Sequence, residues 1–226
     1  SGIDPDMYIL SGLFPEIKAA GKWSQPWWDY VESAADAMEE ARVNVLHVQP
    51  LELLMDGGTT VTGYGTEDVE YHFDWSKFDE YIEYFMDRGF IKKLELYHLL
   101  NTKYASHTEP TILIPDPAYD ANAGFSYTNR PLKVWEVPSY FSPADGDQMA
   151  PEVEAFYRQY IPALTDHLYK KGWTDISFQH VEDECISARE RKEYLHMVKM
   201  FNELVPQEKM ILFGDPIDTN NVDFML

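Results

Sequence analysis

The chain has 226 residues, of which 45% are hydrophobic and 15% aromatic, enough for one large domain with its own core and too apolar for a disordered segment. Its 18 basic and 39 acidic side chains leave a formal charge of −21, which repels phosphates and anionic lipid and excludes a nucleic-acid partner or a basic membrane patch. The single cysteine, Cys185, excludes an internal disulfide and a cysteine-rich zinc site, and no apolar run reaches the ~20 residues of a membrane span.

Along the chain, short β-rich runs alternate with helix-period stripes. A first strand is expected at Tyr8 to Phe14. Pro26 then opens a helix whose stripe is Trp27, Val31, Ala34, Met38 and Ala41. A second strand is expected at Val43 to Leu51, followed by a long connection from Leu53 to His72. Asp74 as N-cap and Gly89 as C-cap enclose a second helix carrying Trp75, Phe78, Ile82 and Phe85. The third strand spans Lys93 to Leu100, and a second long connection runs from Asn101 to Ala150. Val153, Phe156, Tyr160, Leu164 and Leu168 form the third helical stripe, closed by Gly172. A strand from Asp175 to Val181 leads to a fourth helix, Ser187 to Leu204, where Ser187 and Glu190 have capping-box spacing. Strands at Lys209 to Phe213 and from Val222 onward end the series. No Gly-x-Gly-x-x-Gly or Walker-type loop follows any strand, which removes the usual reason for a doubly wound nucleotide fold. The expected architecture is an α/β chain forming about five to six units of a (β/α)8, TIM-like barrel, incomplete, as one domain over residues 1–226.

In such a barrel the carboxyl ends of the strands carry the chemistry. The connection 101–150 leaves such an end and contains Tyr104, His107, Phe125, Tyr127, Arg130, Trp135, Tyr140 and Phe141. Aromatic faces stack on sugar rings, so this segment is expected to rim a carbohydrate cleft; the competing reading is a loop packed by its own aromatics. The strand ending in His180-Val181-Glu182 delivers adjacent carboxylates, Asp183 and Glu184. Either they cap the next helix as an acidic loop, or they are a reactive pair whose proximity keeps one acid protonated. Strand alternation is expected to turn Ser177, Gln179 and Asp183 into the barrel and Ile176 and Phe178 toward the helices. Carboxylates set ~5 or ~6.5–9.5 Å apart across a glycosidic bond serve ordinary retaining or inverting hydrolysis. Immediate neighbours suit a substrate-assisted scheme, in which the sugar's 2-acetamido oxygen is the nucleophile, one acid protonates the leaving oxygen and the other orients the acetamido group.

The stretch Phe156 to Glu184, with Leu164-Thr-Asp-His-Leu-Tyr-Lys-Lys-Gly172-Trp173 leading into His180-Val-Glu-Asp183-Glu184, resembles glycoside hydrolase family 123 and related bacterial domains. So does Phe73-Asp74-Trp-Ser-Lys-Phe78-Asp79 with the helix and strand after it. The resemblance covers most of the chain. It implies a (β/α)8 catalytic domain, commonly beside β-sandwich domains, that releases β-linked N-acetylgalactosamine by the acetamido-assisted route without metal or organic cofactor. It implies Glu184 as acid/base and Asp183 as the acetamido-orienting residue. Cys185 stands where the family motif continues with proline, and the late barrel strands are missing.

Within that reading Tyr97 and Asn101 lead the candidates for contacts to sugar hydroxyls or the acetamido carbonyl. His98, Gln49, His47, His180, Trp135, Tyr127 and Asp215 follow. His47 and His180 also read as core histidines, and Asp215 also reads as the start of the turn at Pro216. Two other functions stand beside the first: a non-catalytic carbohydrate-binding barrel, and a retaining glycosidase whose carboxylate nucleophile lies on a late strand beyond this chain. A metal centre at His180, Glu182 and Asp183 lacks a zinc spacing, and a nucleophilic Cys185 beside two acids has its thiol pKa raised. The expected partner is a glycan or glycoconjugate. The chain begins at Ser1-Gly2 with no leader pattern, which leaves its compartment undecided, with secretion or a periplasmic site following only from the family.

Overall fold

A computed structural model describes residues 15–63, 67–97, 99, 102–103, 107–108, 111–115, 132–136, 151–181 and 188–214. The expected strands at Tyr8 to Phe14 and from Val222, and the capping residue Ser187, lie outside the described residues.

A short helix α1 (Pro15–Ala20) precedes α2 (Gln25–Glu40), which has proline in its first turn and buries Trp27, Val31, Ala35 and Met38. Strand β1 (Val45–Val48) is shorter than the apolar run suggested, because Pro50 starts a helix, α3 (Pro50–Gly57), where a strand end and a long connection were expected. That helix stops at Gly58, whose φ of 106° is left-handed and open to glycine. The rest of the connection is an antiparallel hairpin of β2 (Thr60–Thr62) and β3 (Glu70–His72).

Helix α4 (Ser76–Asp87) has Trp75 at its N-cap rather than the expected Asp74, which stands one residue earlier and whose Oδ1 accepts a 2.9 Å hydrogen bond from the Ser76 amide. The helix's C-cap is Arg88, one residue before the expected Gly89, whose left-handed φ of 82° turns the chain out of the helix. After β4 (Lys93–Leu96) the long connection contains two antiparallel pairs, β5 (Thr102–Lys103) with β6 (His107–Thr108), and β7 (Thr111–Pro115) with β8 (Leu132–Glu136). Helix α5 (Pro151–Lys171) then ends at Gly172, and a 3₁₀ turn at Thr174–Ile176 leads into β9 (Ser177–His180). Helix α6 (Ala188–Leu204), a second 3₁₀ turn at Gln207–Lys209 and β10 (Leu212–Gly214) complete the described chain.

The larger sheet is four-stranded and parallel, in the order β1-β4-β9-β10. Neighbours in this sheet follow chain order, and right-handed crossovers then lay α4, α5 and α6 against one side. This is a mixed α/β architecture with a parallel sheet, and the described strands do not close a barrel.

One core joins sheet and helices. Leu46, Val48, Leu94 and Leu96 are 0% exposed and belong to the same buried cluster as Trp27, Val31, Phe78, Ile82, Phe85, Phe156, Ile161, Leu164 and Phe201. Burying a side chain of this size stabilises the fold by about 1.5–3 kcal/mol. Between α5 and the hairpin, Gln159 supplies both halves of an amide: its Oε1 accepts from the Tyr71 amide at 3.0 Å and its Nε2 donates to the Val69 carbonyl at 2.9 Å. On the outer surface Asp79 of α4 bonds the His167 ring of α5 at 2.6 Å, with Trp75 stacked on that ring and Lys171 3.2 Å from the same carboxylate.

Candidate active site

In parallel strands, residues paired across the ladder project to the same side. Leu46 pairs with Leu94, which pairs with Ser177, and Val48 pairs with Leu96, which pairs with Gln179. All six are buried, and this is the helix side of the sheet. The opposite side carries Val45, His47, Glu95, Phe178 and His180, most of them half-buried.

This corrects the orientation expected for β9. Ser177 and Gln179 face the helices, and Phe178 and His180 face the other way. Polarity misled here because Gln179 is buried through hydrogen bonds: its Nε2 donates to the carbonyls of Tyr97 at 2.6 Å and His180 at 2.7 Å. It ties together the carboxyl ends of β4 and β9. The Leu99 amide reinforces the tie by donating to the His180 carbonyl at 3.0 Å. Leu99's own carbonyl accepts from the Tyr157 hydroxyl, which is buried and whose pKa burial pushes far above the ordinary tyrosine value.

Three elements converge at the carboxyl ends of the strands. From β1 come His47 and, after the strand, Gln49. From β4 come Glu95 and, after the strand, Tyr97, whose amide donates to the Val48 carbonyl at 2.9 Å. From β9 comes His180. The His47 and Tyr97 rings stack with centroids 5.5 Å apart and planes inclined by 29°. The His180 ring nitrogen Nε2 lies 2.6 Å from Glu95 Oε1, and Phe178 meets the His180 ring edge-on at 5.5 Å. Glu95 is 5% exposed, and the His180 side chain keeps 19% of its surface open. A carboxylate accepts only, so an ionised Glu95 fixes the proton on Nε2 and leaves Nδ1 an acceptor.

His47, Tyr97 and His180 are thus brought to one side of the sheet, with Gln49 at the same strand ends. Trp135 is located only by its backbone, in β8 opposite Ile112. Asp183, Glu184, His98, Asn101, Tyr127 and Asp215 lie outside the described residues. In sequence Asp183 and Glu184 follow the end of β9 after Val181 and Glu182, and Asp215 follows β10.

Glu95 is absent from the candidates read from sequence, although its signal was available. In Lys93-Leu94-Glu95-Leu96 the period of two that buries both leucines against the helices must turn the carboxylate to the other side.

Among the described residues no cluster of histidine, cysteine and carboxylates could hold a metal ion, and no helix is long and apolar enough to cross a membrane. A groove of about 380 Å³ between α2 and α4, lined by Gln25, Trp28, Glu32, Glu80 and Tyr84, belongs to the helix layer and not to the strand ends. Among the described residues the strand-end side offers an aromatic stack, an imidazole held against a carboxylate and hydrogen-bonding groups suited to hydroxyls.

No curated protein matches the chain. The family model described as glycoside hydrolase 123, catalytic domain, matches residues 17–218, a span that contains every element described above except the first residues of α1. Strand ends that gather imidazole, phenol and carboxylate just ahead of an Asp-Glu pair fit that assignment, and the chain belongs to the glycoside hydrolase 123 catalytic-domain family.

Proposed function

We propose that the chain hydrolyses terminal β-linked N-acetylgalactosamine by substrate-assisted, retaining catalysis. The observation that supports it most is membership of a glycosidase family across residues 17–218, in a chain where the Asp183-Glu184 pair follows two residues after the end of β9.

In this reaction Glu184 gives its proton to the glycosidic oxygen as the bond to the anomeric carbon breaks. The acetamido carbonyl oxygen of the same sugar attacks that carbon from the opposite face and closes an oxazolinium ring. Asp183 accepts the acetamido N–H, which orients the carbonyl for attack and stabilises the positive charge of the ring. Water, losing a proton to Glu184, then attacks the anomeric carbon and reopens the ring. Two inversions restore the original configuration, and both carboxyl groups return to their starting protonation. Tyr97, His180, His47 and Gln49 supply hydrogen bonds and an aromatic face to the sugar from the strand ends.

The test is nitrophenol release from aryl β-N-acetylgalactosaminide and aryl β-galactoside. Hydrolysis confined to the acetamido substrate is expected, and Glu184→Gln should lower kcat by about 10²–10⁴-fold on it. Equal cleavage of both substrates refutes neighbouring-group participation.

A further inference from the structure

We infer that Glu95 is a positioning residue for the glycosidase reaction, acting through His180 rather than by touching the sugar. The inference rests on the strand-end side being the active site and is independent of which sugar is cleaved.

Glu95 lies within β4, flanked in the sheet by β1 and β9, and is nearly enclosed at 5% exposure. A carboxylate desolvated there is costly unless it is well paired, and its bond to His180 Nε2 at 2.6 Å provides that pairing. Leu94 and Leu96 on either side pack into the core, so the backbone that carries Glu95 is held rigidly.

His180 is restrained twice. Its carbonyl accepts from the Leu99 amide and from Gln179 Nε2, and its ring is held by Glu95. The consequence is chemical as well as steric. With the Nε2 proton committed to Glu95, Nδ1 is a basic acceptor for a sugar hydroxyl, at the last residue of the strand that runs on to Asp183 and Glu184. Removing the carboxylate takes away the acceptor that commits the proton to Nε2, and an N–H in place of the Nδ1 lone pair repels the group it should bind. Outer partners that orient a functional histidine in this way are worth about 10–100-fold in metal sites, and the same orienting physics applies to hydrogen bonding.

The decisive experiment joins ring-nitrogen NMR of His180 to kinetics of Glu95→Ala, Glu95→Gln, His180→Ala and the double variant Glu95→Ala/His180→Ala. The wild-type chain should show His180 protonated at Nε2, and Glu95→Ala should mix or reverse the tautomers. On the aryl glycoside that the wild type cleaves fastest, Glu95→Ala should lower kcat/KM by about 10–100-fold. Glu95→Gln, whose carbonyl still accepts from Nε2–H, should recover most of that loss. In the His180→Ala background the same Glu95→Ala change should cost little more, because its effect travels through the ring. An unchanged tautomer in Glu95→Ala overturns the inference, as does an equal loss with and without His180. Preference for the galactoside over the acetamido sugar defeats only the proposed substrate, since the Glu95 comparison then proceeds on the galactoside, and the NMR readout needs no substrate.

Discussion

The two sides of the parallel sheet are made by the same strands and differ in nearly every physical respect. On the helix side Leu46, Val48, Leu94 and Leu96 are sealed in the core, and Gln179 sits among them with its Nε2 donating to strand-end carbonyls. On the other side the His180 ring is hydrogen-bonded to Glu95, and His47 stacks on Tyr97. A strand's period of two separates the core-packing residues from those of the proposed site, so a single substitution can address one set without the other.

The hardest blow to that separation comes from the core. Phe85 of α4 is 0% exposed, and Phe85→Ala should cost about 3–5 kcal/mol of stability. Denaturant titration should show the loss, while turnover per folded molecule stays near wild type. A fall in kcat that is not explained by unfolded protein shows that the two sides are coupled.

Gln179→Leu examines the exception. It deletes the donor to the Tyr97 and His180 carbonyls and should destabilise the fold by about 1–3 kcal/mol. Because those carbonyls belong to the strand ends of the proposed site, KM should rise as well, and an unchanged KM sharpens the division between the sides. Thermal unfolding and Michaelis kinetics of the same preparation decide it.

The smallest effect lies farthest from both. Hydrogen bonds from Lys170 and Lys209 hold the Asp166 carboxyl down at about 2, below its ordinary 3.8. A depressed carboxyl contributes stability above its unfolded-state value and loses it as pH falls toward the folded-state one. Between pH 4 and pH 2 this site should therefore surrender its contribution, less than about 1 kcal/mol because the side chain is a third exposed. Asp166→Asn should flatten that part of the melting-temperature curve and leave activity untouched.

The helices were legible because their evidence is local. Trp27, Val31 and Met38 recur at helical spacing, and Asp74 and Gly89 punctuate α4. The failures needed information from another strand. In the run from Val43 to Leu51 apolar character continues through Pro50-Leu51, and only the burial of Leu53, Leu54 and Met55 reveals that it has become a helix. Ser177 and Gln179 look like residues for a polar interior until their pairing with Leu94 and Leu96 fixes their direction. Glu95 follows from the same argument in reverse. The convergence of His47, Tyr97 and His180 depends on the order β1-β4-β9, which no single segment encodes. The antiparallel pairs inside the connection 101–150 also depend on partners distant in sequence, such as Thr111 with Glu136.

Gln159 bears on how the chain avoids its own kind. The outer edge of β3 would offer a row of unsatisfied backbone groups, the template on which a second strand adds and an aggregate begins. By occupying the Tyr71 amide and the Val69 carbonyl, the side chain of Gln159 poses as that missing strand and leaves an intruding chain two hydrogen bonds poorer. One glutamine on a helix thus acts as a guard for a hairpin too short to protect itself.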